Sequence, residues 1–322
     1  MEKESLNSKK RINLNDAVIL LIIFAVLILF FSLMNREFIA YNNISSMLKN
    51  MVITGILALG LTPLLIARGL DISFGGSLSL VTVIIALLYE RGISIWLTLL
   101  IGVVVATAVG FINGILIEKF DLIPIILTLG TMAILQALAL VLSEGRSVAM
   151  LTDQLYLFGT KTFLKIPLPL LVLIVLIIVY WFILSLTKTG RTIYIIGANP
   201  KVALLSGIKV KKVKILLYTF MGFSVGLASI IVISLTGVGM AYHGARIPLP
   251  TLSAVLLGGI SLAGGSGSVW GTLIGILIVT VIFNGLSVLN VQSYFIQIFQ
   301  GLALVIIVAM YEIRNKRKAT AK

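Results

Sequence analysis

The sequence predicts an all-α membrane protein that crosses the lipid about ten times. Of its 322 residues, 59% are hydrophobic and only 11% are charged, roughly half the charged fraction of a soluble domain. From Ile247 to Tyr311 there is no charged side chain in 65 residues. One membrane helix needs about 20 apolar residues, so this stretch alone is long enough for about three crossings.

Ten apolar segments are bounded by charged or turn-forming residues, and each is a predicted span. They cover residues 17–34, 51–67, 72–88, 93–117, 122–142, 166–186, 215–236, 248–263, 269–289 and 294–310. Glycine and proline predict that some of these helices are broken. The weakest span is 248–263, which is short and contains Gly258 and Gly259. A re-entrant loop there would leave the basic carboxyl end outside, so we expect a crossing, broken and buried among other helices.

Basic residues predict the orientation. With the amino terminus in the cytoplasm, 18 of the 25 Lys and Arg residues lie inside, and both termini are cytoplasmic. The net charge of +14 is interpreted as this orientation signal and not as a nucleic-acid site. The predicted parts are a cytoplasmic tail (1–16), a transmembrane domain (17–312) with a cytoplasmic loop (187–214), and a basic cytoplasmic tail (313–322).

Pairs of glycines spaced four apart predict close helix packing. Such pairs let backbones approach each other where lipid supplies no hydrophobic driving force. The pairs are Gly110 with Gly114, Gly222 with Gly226, and Gly271 with Gly275.

The segment between the second and third spans is the first candidate site. It runs from Ala67 to Gly76, and Pro63 just upstream predicts an interrupted helix. Such a break at membrane depth must be buried in protein or line a cavity. Asp71 near the bilayer centre would cost about 3 kcal/mol, so it could orient a hydroxylated solute or pair with Arg68. The alternative is a short cytoplasmic turn in which both charges are hydrated.

The long cytoplasmic loop is the second candidate. Asn199 can cap a short helix, Pro200 suits its first position and Gly207 can end it. That helix would expose three apolar side chains, Val202, Leu204 and Leu205. They would fit a groove of a partner or pack against this protein's own helix ends. The flanking lysines could instead contact anionic lipid.

The third candidate is the glycine-rich stretch from Leu249 to Gly267. Its Thr251 and Ser253 could hydrogen-bond a polar solute or only their own backbones. A phosphate-binding loop is excluded, because no Gly-Lys-Ser/Thr occurs in the chain.

The chain has neither cysteine nor any catalytic constellation. Its single histidine, His243, is expected in an external loop before Arg246. The sequence therefore predicts neither a cofactor nor an enzymatic activity.

The three candidate segments resemble, in chain order, the motifs of one family. Residues 69–75 are similar to its Gly-Ile/Leu-Asp-Leu/Ile-Ser-x-Gly motif, and residues 190–208 are similar to its long cytoplasmic loop. Residues 254–275 are similar to its glycine-rich stretch. The family is the permease subunit of ATP-binding-cassette (ABC) importers for ribose and related sugars, including autoinducer-2. The resemblance spans roughly residues 15 to 312.

The resemblance implies a permease subunit that carries a monosaccharide or similar small polyol across the cytoplasmic membrane of a prokaryote. It implies a second permease subunit, separate cytoplasmic ATPase subunits and an external solute-binding protein. The implied coupling helix includes Asn199, Pro200, Val202, Leu204, Leu205 and Gly207. The candidate polar contacts along the pathway are Asp71, Ser73, Thr251 and Ser253.

Two positions depart from the family's usual pattern. Leu249-Pro250 stands where many relatives have acidic residues, which resembles some autoinducer-2 permeases and puts a plain ribose assignment in doubt. Pro200-Lys201-Val202 replaces Glu-Ala-Ala-like residues, which favours a cognate ATPase. An ion-coupled secondary transporter and a non-transporting scaffold are the alternatives from other classes.

Overall fold

The computed structural model describes residues 14–150, 152–163 and 166–320, and within them thirteen α-helices dominate. This confirms the all-α prediction. Most of the predicted amino-terminal tail (residues 1–13) and the last two residues lie outside the described residues. The helices are α1 Leu14–Met34, α2 Tyr41–Ile66, α3 Phe74–Glu90, α4 Ile95–Phe120, α5 Pro124–Ser143, α6 Asp153–Thr160, α7 Leu168–Leu186, α8 Lys188–Ala198, α9 Pro200–Leu205, α10 Val210–Thr236, α11 Pro248–Leu257, α12 Val269–Val288 and α13 Ser293–Thr320.

Short elements join the helix ends. A 3-10 helix, Arg36–Ile39, lies between α1 and α2. Strand β1 (Val148–Ala149) pairs antiparallel with β4 (Val238–Gly239), which ties the turn after α5 to the end of α10. Strands β2 (Thr162–Phe163) and β3 (Ile166–Pro167) form a second antiparallel ribbon before α7.

The ten predicted spans each coincide with an apolar helix. Seven helices are long and apolar enough to cross a membrane, namely α1, α2, α4, α5, α7, α10 and α12. Three shorter apolar helices fall on the remaining predicted spans: α3, α11 and the Ser293–Ala309 part of α13. The chain is therefore a multi-pass membrane protein.

Helices α2 and α10 form the centre of the bundle. In α2, 78% of the most apolar window is buried, whereas in α1 only 6% is buried. Helix α10 packs against α2, α3 and α4, and α1 packs against α12 at the periphery. The large apolar side chains that α1, α4 and α5 expose are those expected of a surface that faces lipid.

The glycine pairs bring helices together, as predicted. Gly110 and Gly222 meet where α4 crosses α10, and a Cβ on Gly110 would lie 3.0 Å from the Cα of Gly222. A Cβ on Gly275 of α12 would collide with the carbonyl of Ala254 in α11. Side chains at these positions would push the helices apart.

The predicted span 248–263 is broken, as expected, and its helix is shorter than the apolar segment. Helix α11 ends at Leu257, and Gly259 follows with a φ of +82°. Its ten residues rise about 15 Å, half of a hydrocarbon core of about 30 Å. Gly258 and Gly259 marked the break, whereas hydropathy alone did not, because residues 258–263 are nearly as apolar as the helix.

The preceding segment, residues 237–247, supplies the missing length. Gly239 packs against Thr82 and Ala86 in the middle and second half of α3, and Gly244 packs against Gly75 at the beginning of α3. The segment therefore descends along α3 to the point where α11 begins. A non-helical stretch and a half-length helix together follow the path of one span.

His243 lies in the non-helical segment between α10 and α11, before Arg246, as expected, and this segment is packed against α3. Its Nδ1 atom is 3.4 Å from the hydroxyl of Thr82. The next backbone N–H, of Gly244, donates a 2.9 Å hydrogen bond to the hydroxyl of Ser79. Both contacts are with α3, because the descending segment is packed against that helix.

Candidate functional site

Helix α2 is interrupted where the sequence predicts a break. The Arg68 N–H donates to the Leu65 carbonyl at 2.9 Å and the Gly69 N–H donates to the Leu64 carbonyl at 2.8 Å. This pair of bonds is the Schellman motif that ends many helices. Seven residues, 67–73, then separate α2 from α3. We call them the interrupted segment.

Asp71 is buried at the centre of this segment, with only 2% of its surface exposed. The alternative of a hydrated turn is therefore wrong for Asp71. The backbone N–H and the hydroxyl of Ser73 both donate to Oδ1 of Asp71, at 2.8 and 2.6 Å. Among the described residues Oδ2 has no hydrogen-bond partner, so one carboxylate oxygen is left for another group.

A chain of buried and partly buried polar side chains continues from Asp71 into two neighbouring helices. The amide of Asn113 in α4 donates to the hydroxyl of Ser73 at 2.9 Å. The hydroxyl of Thr131 in α5 donates to Oδ1 of Asn113 at 3.0 Å. Sequence reasoning missed Asn113 and Thr131, although a lone amide inside an apolar span is a signal that could have found Asn113.

Arg68 does not pair with Asp71, so the predicted alternative of an ion pair is wrong. Its Nε–H donates to the Gly197 carbonyl at 2.6 Å, and its Nη2 donates to the Ala198 carbonyl at 3.0 Å. Arg68 therefore contacts the end of α8 and points away from the buried carboxylate.

The short helix predicted in the long loop is present as α9, from Pro200 to Leu205. The side chain of Asn199 caps it by accepting hydrogen bonds from the backbone N–H groups of Lys201 and Val202, at 3.0 and 3.3 Å. Gly207 follows the helix with a φ of +78°, a conformation that suits glycine. The predicted start and end of this helix are confirmed.

The apolar face of α9 is exposed to solvent. Val202 is 50% exposed, Leu204 66% and Leu205 88%, whereas Ala203 on the opposite face is buried. The alternative in which these side chains pack against the chain's own helix ends is therefore wrong. An isolated apolar knob of this kind is typical of a surface that another protein covers.

The two candidate residues of the glycine-rich stretch, Thr251 and Ser253, differ in their hydrogen bonding. The Thr251 hydroxyl donates to the Ile247 carbonyl of its own helix at 2.8 Å, so its hydrogen-bonding capacity is partly used. The Ser253 hydroxyl is buried and has no partner in the described part of the chain. Ser77, in the first turns of α3, is also buried and unpartnered, and sequence reasoning missed it.

The amino-terminal ends of α3 and α11 meet inside the bundle. A Cβ on Gly75 would lie 2.7 Å from the carbonyl oxygen of Gly244 and 2.9 Å from Cγ of Pro248. Helices α3 and α11 thus begin at the same place and run in opposite directions. Within residues 14–150, 152–163 and 166–320, no group of three or more potential metal ligands accompanies them.

A helical membrane bundle with interrupted helices around a buried polar chain, and with a short exposed helix in a long basic loop, is typical of the membrane subunit of a transporter. The chain belongs to the family described as "Branched-chain amino acid transport system / permease component", which matches residues 43–309. It is thus a permease component and a multi-pass protein of the inner membrane.

Curated relatives match the chain over most of its length. The chain is 34% identical to the ribose import permease protein RbsC of Bacillus subtilis (strain 168), covering 88% of this chain and 89% of the relative. The ribose import permease protein RbsC of Haemophilus influenzae is 35% identical, with the same coverage. The autoinducer 2 import system permease protein LsrD of Yersinia enterocolitica is 29% identical over 86% of each chain. No solved structure matches the chain.

Proposed function

We propose that the chain is the membrane-spanning subunit of an ABC importer for a monosaccharide such as ribose, or for a similar small polyhydroxylated solute. Import of autoinducer-2 by the same architecture is the second candidate, favoured by the similarity to LsrD and by Leu249-Pro250. The observation that carries the proposal is the exposed apolar face of α9, in a bundle that also holds a buried polar chain able to meet a hydroxylated solute.

In this proposal α9 is the coupling helix. Asn199 and Pro200 start it, Gly207 ends it, and the apolar face inserts into a groove of a cytoplasmic ATPase subunit. Leu205 is 88% exposed and therefore the natural anchor, since a large apolar side chain gains most from a fully desolvated pocket.

The positive charge around α9 supports a partner whose binding groove is bordered by acidic residues. Residues 187–214 contain seven Lys and Arg residues and no acidic residue. Lys211 pairs with Asp121 at 3.0 Å and Lys214 pairs with Glu118 at 3.2 Å. The remaining five basic residues form no salt bridge within the described residues. Acidic groups on the ATPase, together with anionic lipid at the membrane surface, would complement them.

The ATPase activity is assigned to a separate subunit. The chain has no Gly-Lys-Ser/Thr sequence, so it lacks the loop that binds the nucleotide phosphates in ATPases of this type. Closure of the ATPase subunits would displace α9 and exchange inward-open and outward-open forms of the bundle.

The solute pathway is proposed along the interrupted helices. The free Oδ2 of Asp71 and the unpartnered hydroxyl of Ser253 can exchange hydrogen bonds with solute hydroxyl groups. Ser73 orients Asp71, and the Thr251 oxygen, whose O–H is donated to Ile247, can still accept a hydrogen bond from the solute. The buried Ser253 hydroxyl is costly unless a ligand or another conformation supplies its hydrogen bond.

The proposed assembly has both termini in the cytoplasm. A tail (1–16) precedes the permease domain (17–312), which carries the coupling loop (187–214), and a basic tail (313–322) follows. A second permease subunit, identical or not, completes the pathway, and an external solute-binding protein delivers the solute. Lipid surrounds the exposed apolar faces.

Reconstitution tests the proposal. The chain, its cognate ATPase and its solute-binding protein are placed in proteoliposomes, and uptake of labelled ribose and of autoinducer-2 is measured with ATP inside or outside. The proposal predicts uptake that needs ATP on the α9 side and the binding protein on the other. Uptake that persists without ATP, driven by a proton or sodium gradient, would establish the secondary-transporter alternative. No uptake of any solute with any ATPase would support a scaffold.

A further inference from the structure

Three segments of the chain meet at one end of the bundle. They are the end of α2 (Ile66–Arg68), the end of α8 (Gly197–Ala198) and the loop after α11 (Gly264–Gly265), and we call this meeting point the three-way junction. The Gly265 N–H donates to the Ile66 carbonyl at 2.8 Å. A Cβ on Gly197 would collide with that carbonyl, and a Cβ on Gly264 would collide with the Arg68 side chain. Packing this tight transmits a displacement of one segment to the others.

Arg68 is the side chain that joins two of these segments. Its guanidinium donates to the carbonyls of Gly197 and Ala198, the last residues of α8. Carbonyls in the last turn of a helix have no partner within the helix and carry the negative end of its dipole. The cationic side chain therefore satisfies α8 at its end, one residue before Asn199 begins α9.

The backbone of Arg68 is in a conformation that disfavours an arginine. Its φ is +62°, and it occupies the position of the Schellman motif where glycine is usual. An L-residue with a side chain is costly there, whereas glycine is not. Glycine would suit this turn better than arginine. The contact of the Arg68 guanidinium with the end of α8 compensates for the unfavourable backbone conformation.

The other side of Arg68 leads directly to the buried polar chain. Two residues later, the N–H and the carbonyl of Leu70 both bond to the hydroxyl of Tyr218 in α10, at 3.3 and 3.2 Å. Asp71 is the next residue. The contacts from α9 to Asp71 therefore run through Ala198 and Arg68.

We propose that Arg68 is a positioning residue that transmits the displacement of α9 to the interrupted segment and so to Asp71. The inference rests on the proposed function, in which an ATPase moves α9. Arg68 touches no solute in this account. It acts by making the end of α8 and the start of the interrupted segment one mechanical unit.

The test compares Arg68→Gly with Asp121→Gly in the complete complex. Arg68→Gly removes the guanidinium and suits the φ of +62°, so the fold is retained. Asp121 also has a positive φ, +51°, and loses only an exposed ion pair as glycine, which makes it a matched control. For Arg68→Gly we expect unchanged ATPase binding and basal ATP hydrolysis, with solute transported per ATP lowered about tenfold. Asp121→Gly is expected to match the unaltered complex.

A second measurement reports the transmission itself. The chain has no cysteine, so a single Ile72→Cys places one reactive thiol in the interrupted segment. Its rate of labelling by a thiol reagent should change on addition of ATP and vanadate when Arg68 is present. The rate should be insensitive to nucleotide in the Arg68→Gly background. A purely structural role of Arg68 would change the rate in both nucleotide states alike.

Two results of the transport and binding assays would also overturn the proposal. Arg68→Gly with normal transport per ATP would show that transmission follows another route. Arg68→Gly that no longer binds the ATPase would show that Arg68 builds the docking surface instead. Failure of the proposed function is a different result, because the unaltered complex would then show no ATP-dependent uptake at all.

Discussion

The side-chain amide of Asn113 donates a 2.9 Å hydrogen bond to the hydroxyl of Ser73, and both side chains are buried. Ser73 in turn donates to Oδ1 of Asp71. A residue in the middle of α4 therefore orients a carboxylate in the interrupted segment. The direction in which the free Oδ2 points depends on this contact between two parts of the chain.

Replacing Asn113 with leucine tests that dependence. Asn113→Leu has similar size but removes the donor to Ser73 and the acceptor for Thr131, so the free energy of unfolding should fall by about 1–3 kcal/mol. The KM for uptake should also rise, because Asp71 loses its orientation. Thermal unfolding in detergent and uptake kinetics measure the two effects. Thr107→Val on the same helix is the control, since its hydroxyl bonds to its own helix. Equal effects in both variants would contradict the account.

Asp71→Asn should lower uptake strongly while the complex still assembles. Asparagine keeps the size of the side chain and can still accept from Ser73, but it lacks the charge and the second acceptor oxygen. Loss of one charge-assisted hydrogen bond to the solute corresponds to about 1.5–3 kcal/mol, or roughly 10- to 150-fold in kcat/KM. Uptake and co-purification of the ATPase are the measurements. Wild-type uptake by this variant would reduce Asp71 to a structural role in the turn.

Leu205→Asp should weaken docking of the ATPase. The change puts a charge into an apolar pocket, and a lost anchor of this kind costs about 2 kcal/mol, roughly 30-fold in Kd. Leu204→Asp should act in the same direction. Ser206→Asp, which adds the same charge at the exposed end of α9 without removing an apolar contact, serves as the control. Surface-based binding assays with the ATPase measure Kd. Unchanged binding and uptake in both leucine variants would remove the coupling-helix hypothesis.

Gly75→Ala should destabilise the contact between α3 and α11. The new Cβ would lie 2.7 Å from the Gly244 carbonyl oxygen, and overpacking of this kind costs about 1–3 kcal/mol. Gly301→Ala in α13 is the matched control, because a Cβ there meets no atom within 4 Å. Thermal unfolding of the two variants is compared. A Gly75→Ala protein as stable as the Gly301→Ala protein would mean that the amino-terminal ends of α3 and α11 do not meet.

Hydropathy and the residues that start and end helices predicted much of the fold. Each of the ten apolar segments became a helix because a backbone in lipid must satisfy its own hydrogen bonds, and apolar length is visible in sequence. The α9 helix could also be predicted from sequence, because Asn199, Pro200 and Gly207 are each of a residue type that is preferred at one position of a helix end. Local chemistry decides such features, so a single sequence is enough to find them.

Long-range contacts could not be predicted in this way. The partner of Arg68 is the end of α8, 129 residues away, and nothing local distinguishes it from the nearby Asp71. The break after Leu257 was signalled by Gly258 and Gly259, but the packing of residues 237–247 along α3 depends on distant contacts that no local signal shows. Asn113 acquired its role only when α4 was placed beside Ser73.

The central claim is that α9 faces the cytoplasm and is covered by an ATPase of another chain. The direct measurement is labelling of Leu205→Cys, the single thiol of an otherwise cysteine-free protein, with a membrane-impermeant maleimide. The account predicts labelling in inside-out vesicles stripped of the ATPase, protection when the ATPase is added back, and no labelling in intact cells. Labelling in intact cells, or labelling that the bound ATPase leaves unchanged, would contradict it.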